Sequence, residues 1–166
     1  MPEDVRPRRP PDPERRTVVQ GGRPKAFRPL PREAIDEAVR AGLAAYRRGD
    51  FFAAHERLEP AWMGTDDPVE RELYQGLIKV AASGVHRVRG NALGMAKNLR
   101  GARGRLERAA FGIETNVGPG SGRVGAAATG LDLPAILTSI DDALGELERG
   151  DPPERIGPIH LVERLG

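Results

Sequence analysis

His55, Glu56 and Glu59 form the densest group of chemistry-bearing side chains in this sequence. On a helix, the spacing of four residues puts the imidazole of His55 and the carboxylate of Glu59 on one face. A pair of that kind can ligate a divalent cation. With a third protein ligand and one open position it becomes a hydrolytic centre, in which Glu56 is placed to act as general base. The next apolar stretch carries Gln75 and His86 as possible partners. If the two helices run antiparallel across a turn at Gly64–Asp67, Gln75 comes level with Glu56, while His86 lies eleven residues further on, roughly 15 Å along the axis. Two imidazoles so far apart cannot share one ion, and Lys79 adds a positive charge on the Gln75 side. Three readings of His55, Glu56, Glu59, Gln75 and His86 follow: an internal hydrogen-bonded network, a metal site, or a pocket for a small ligand. The first is favoured, because polar groups drawn inward must be partnered. No catalytic residue, metal set or cofactor is assigned. Ser83 is the only hydroxyl near the group, and no nucleophile-elbow motif surrounds it.

These residues need helices to position them, and the pattern supplies five. Ile35, Ala38, Val39, Gly42, Leu43 and Tyr46 recur at helical spacing up to about Arg48. Gly49 closes that helix and Asp50 caps the next, with Phe51, Ala54, Leu58 and Trp62 as its apolar stripe. Pro60 is expected to break this second helix near Glu59. Pro68 opens a third, whose run from Leu73 to Val88 reads as a central helix covered on several sides. Asn91 caps a fourth, ending at about Ala110, and Asp132 a fifth, stopped by Gly150 and the prolines after it. The predicted architecture is all-α, a five-helix bundle-like domain over residues 32–150 with no strand. Gly42, Gly49, Asp50, Ala54 and Ala61 give its first hairpin a tetratricopeptide-like spacing.

Residues 1–31 hold eight prolines and carry a net charge of +4, so they are expected to be a disordered arm. Residues 112–130 hold six glycines and read as a flexible loop, and 151–166 as a loose tail. The glycines at 120, 122 and 125 resemble a dinucleotide-binding string, but no strand precedes them.

Composition narrows the function further. The 166 residues contain no cysteine, which excludes disulfides, thiolate metal centres and a thiol nucleophile. No apolar run is long enough for a membrane span, and the Pro- and Arg-rich start is unlike a signal peptide, so a cytoplasmic protein is expected. Of the 26 basic residues only three are lysine, a bias that weakens the nucleic-acid argument from the seven basic side chains between Arg87 and Arg108.

Taken together, Gly49-Asp50-Phe51-Phe52-Ala53-Ala54-His55-Glu56, Leu58-Glu59, Trp62, then Tyr74-Gln75-Gly76-Leu77-Ile78, then His86 with Gly90-Asn91 resemble the domain of unknown function 309 family of small all-helical prokaryotic proteins. Gly130-Leu131-Asp132-Leu133 is similar to a downstream element of the same family. The resemblance implies an all-α domain with His55, Glu56, Glu59, Trp62, Gln75, Gly76, His86, Gly90 and Asn91 at motif positions, and it brings no activity with it. Lys79 departs from the uncharged residue usual in relatives. The expected function is a non-enzymatic binding or scaffolding module with a protein or small-molecule partner. The alternatives are a divalent-metal-dependent hydrolase built on His-Glu-x-x-Glu, and a nucleic-acid-binding accessory protein using the arm and helix four.

Overall fold

In a computed structural model, residues 17–20, 23–115 and 130–164 are described. Among them are five α-helices: α1 (Arg32–Arg47), α2 (Phe51–Gly64), α3 (Pro68–Val88), α4 (Ala92–Thr115) and α5 (Leu133–Glu148). The helix ends follow local chemistry. The carboxylate of Asp50 accepts from the Ala53 amide, that of Asp67 from the Val69 and Glu70 amides, and that of Asp132 from the Ala135 amide, while the side-chain oxygen of Asn91 accepts from Gly94. Gly49, Gly90 and Gly150 end α1, α3 and α5 at positive φ, where side chains with a Cβ are strained.

The helices pack in chain order: α1 on α2, α2 on α3, α3 on α4 and α4 on α5. The α5 stripe of Leu133, Ile136, Ile140 and Leu144 is buried chiefly against α4, whereas α3 takes the middle of the domain. Close approach is set by small residues. A Cβ on Gly84 would meet the ring of Phe51 at 2.5 Å, so this glycine seats α3 directly on the start of α2.

Four expectations are corrected. Two short strands, β1 (Thr17–Gln20) and β2 (Arg23–Ala26), pair antiparallel within the stretch expected to be a disordered arm. The chain after them also docks, because the amides of Arg28 and Leu30 donate to the carbonyls of Met63 and Gly64 and the side chain of Leu30 packs against Gly64. Residues 1–16 of the arm lie outside the described residues. Pro60 does not break α2, which runs through it to Gly64. Its ring stands on the exposed side of the helix, where water can take the hydrogen bond it removes. Helix α4 continues to Thr115, with Gly112 against Val69 of α3, so residues 112–115 are helix rather than loop; residues 116–129 of the Gly-rich segment, including all of the glycine string, lie outside the described residues.

The C-terminal segment is not loose either. Ile156 and Ile159 are buried, the hydroxyl of Tyr46 donates to the Ile159 carbonyl at 2.6 Å, and Arg87 donates to the Ile156 carbonyl at 2.5 Å. Further along, Arg164 and Asp132 amides donate to Gly130 and Val162 carbonyls, which ties the end of the chain to the start of α5. Two isoleucines among prolines bury enough apolar surface to hold such a segment without a helix.

Candidate functional site

His55, Glu56 and Glu59 come together on α2. One ligand atom from each lies within 4.8 Å of the others, and His55 Nδ1 stands 3.6 Å from Glu56 Oε1. The buried stripe of α2 is Phe51, Ala54, Leu58, Ala61 and Trp62, facing α1 and α3. His55 follows Phe51 by four residues and so falls at the edge of that stripe, with its side chain one-third exposed; Glu56 is more than half exposed. Nδ1 of His55 is itself buried and, among the described residues, has no hydrogen-bond partner. The group therefore sits on the rim of the core and opens outward, where an internal position was expected.

Gln75 and His86 belong elsewhere. Gly84 faces Phe51 of α2, and Gln75 lies nine residues earlier, a rotation of about 900° at roughly 100° per residue, which is half a turn away. Gln75 is buried and stands about half a turn of α3 from the face that meets Phe51, so the rotation of α3 does not favour the expected pairing with Glu56. His86 occupies the α3–α4 turn. Its Nδ1 lies 3.1 Å from the side-chain nitrogen of Asn91, its carbonyl accepts from the Asn91 amide, and its ring fills the space beside Gly94. His160 is exposed on the C-terminal segment.

A second polar group was missed in the sequence. Glu70 is completely buried, and both its oxygens are engaged: Oε2 accepts from the Thr65 hydroxyl and Oε1 from Arg32, each at 2.6 Å. Arg71 donates to the Thr65 carbonyl, and its guanidinium lies over the ring of Phe27. The buried hydroxyl of Tyr74 is held un-ionised, chiefly by burial and then by the charge of Glu70. The hydrogen bond to Glu70 holds the Arg32 guanidinium more firmly protonated than usual. The available signal was an acid at the third position of α3, just after the Asp67 cap, where a carboxylate also suits the helix start.

The fold defines the class, an all-α domain, and comparison adds a similarity. The sequence profile of the family described as Domain of unknown function (DUF309) matches residues 39–98. That stretch runs from the middle of α1 into α4 and includes His55, Glu56, Glu59, Gln75 and His86, so over these residues the chain is similar to the DUF309 family. Neither the curated proteins nor the solved structures searched gave a match. No helix among the described residues is long and apolar enough to cross a membrane.

Proposed function

We propose that this chain is a non-enzymatic binding module whose contact point is the His55–Glu56–Glu59 face of α2, and that this face takes a divalent transition-metal cation. The supporting observation is the convergence of one imidazole nitrogen and two carboxylate oxygens within 4.8 Å. Ligands about 2.1 Å from a tetrahedral ion stand about 3.4 Å apart, so small rotamer adjustments, the largest of them by exposed Glu56, close the site. Mixed nitrogen and oxygen donors suit zinc, iron or nickel better than magnesium or calcium, which take oxygen shells. With Glu56 used as a ligand, no general base remains beside the ion in this group, and binding is favoured over hydrolysis. The open coordination positions face solvent, where a small molecule or a partner's side chain can complete them.

Thermal unfolding with and without zinc tests this reading. At a hundred times its dissociation constant, a single-site ligand adds about 2.7 kcal/mol of stability. The gain is expected in the wild type and in His86→Ala, and it disappears in His55→Ala and Glu59→Gln. No gain in the wild type, or an undiminished gain in His55→Ala, overturns the proposal.

A further inference from the structure

Lys79 projects from α3 across α4 rather than into solvent. A Cβ on Gly101 would lie 2.9 Å from Cδ of Lys79, 3.1 Å from Cε and 3.3 Å from Nζ, so the glycine forms a bed for the lysine stem. Lys97, Gly101 and Arg105 follow one another at intervals of four along α4 and share a face. The ammonium of Lys79 is thus delivered between two further cations. Arg105 reaches Glu72 at 3.3 Å, but the same carboxylate oxygen also serves Arg108 at 3.3 Å. Two arginines thus share one acid. Among the described residues no carboxylate pairs with Lys79, whose charge is disfavoured first by burial and then by Arg105 and Lys97.

The Arg-rich composition of the chain does not account for this cluster. Only three lysines occur in the sequence, and two of them, Lys79 and Lys97, are here. A half-buried lysine held on a glycine bed beside two like charges carries an electrostatic cost that an anion removes. Two compact ammonium donors with a guanidinium beside them match the oxygens of a phosphate group.

We propose that Lys79, Lys97 and Arg105 form a binding site for a phosphate group, separate from the α2 face. The group can come from a small phosphate compound or from a nucleic-acid backbone, and the two sources are distinguished by the probe that binds. Full-length protein is titrated at low salt with inorganic pyrophosphate and with a short single-stranded RNA, using the wild type, Lys79→Met and Gly101→Ala. Binding of either probe to the wild type is expected to weaken roughly tenfold in Lys79→Met, the ratio one charge-assisted hydrogen bond supplies. Gly101→Ala, which displaces the lysine stem, weakens it as well. If RNA is the ligand, the slope of log affinity against log salt shrinks by about 0.7 on loss of the Lys79 charge. Lys79→Met keeps or raises the melting temperature, so lost binding cannot be lost folding. Absence of binding by both probes, or equal binding to wild type and Lys79→Met, overturns the proposal.

Discussion

Glu70 and Glu56 lie in the same helical domain and belong to opposite kinds of site. Glu70 is fully buried at the start of α3, and both of its oxygens are taken by Arg32 and Thr65. Glu56 stands more than half exposed on α2, beside an imidazole whose buried Nδ1 has no hydrogen-bond partner among the described residues. A buried carboxylate with its acceptors satisfied from within fixes structure, because removing one partner strands the others. Carboxylates gathered at a surface beside an incompletely partnered histidine retain the capacity to bind something from outside. The difference is one of which partners surround the acid, and it separates a keystone of the fold from a candidate for function.

The largest effect expected from this contrast is on stability. Glu70→Leu removes the acceptor for the Thr65 hydroxyl and for Arg32, and should cost about 3 kcal/mol. That lowers the melting temperature by roughly 10 °C in a chain of this size. A loss below about 1 kcal/mol in chemical denaturation would show that Glu70 is not a keystone. Next in size is the zinc response of about 2.7 kcal/mol, which belongs to the α2 face alone. It should persist in Glu70→Gln, measured against that variant's own metal-free baseline. If it falls with Glu70, the two sites are coupled and the contrast fails.

Tyrosines supply a smaller test on the structural side. Burial raises both Tyr46 and Tyr74 above the ordinary phenol range. A group whose folded-state pKa is raised contributes stability that is fully present below the unfolded value. It is lost as pH rises from there toward the folded value. Stability should therefore fall above about pH 10, where a free tyrosine ionises. Tyr46→Phe removes the hydrogen bond to the Ile159 carbonyl and should cost about 1 kcal/mol at neutral pH while flattening part of the alkaline loss. An unchanged alkaline profile in both Tyr46→Phe and Tyr74→Phe would show that neither phenol is held un-ionised by the fold.

Apolar spacing made the five helices legible, since Phe51, Ala54, Leu58 and Trp62 or Leu133, Ile136, Ile140 and Leu144 can be buried together in only one way. Asp50, Asn91 and Asp132 were legible as caps for a similar reason, because the acceptor sits next to the amides it serves. Along α2, the same logic brought His55, Glu56 and Glu59 together. It failed across helices. The seating of Gly84 on Phe51 leaves Gln75 about half a turn from the face of α3 that meets the start of α2, and nothing in a single-helix pattern encodes that contact. Glu70 was missed because its partners come from α1 and from the turn before α3, which only the folded chain brings together. Ile156 and Ile159 were missed because short extended segments have no helical period to read, although their burial anchors the chain end.

The smallest predicted effect is the most discriminating for the α2 face. In metal-free buffer, Glu56→Gln changes an exposed side chain whose ion-pair contact with His55, at 3.6 Å, is long and solvent-screened. Stability should stay within about 0.5 kcal/mol of the wild type. The same substitution replaces a carboxylate ligand by an amide, a much weaker donor to a cation, so the zinc-induced gain in melting temperature should shrink. A residue that only supported the fold would behave in the reverse way, costing stability without metal and leaving the zinc response unchanged. Measuring both quantities on one variant thus separates binding from architecture at Glu56, as the buried environment of Glu70 does not allow there.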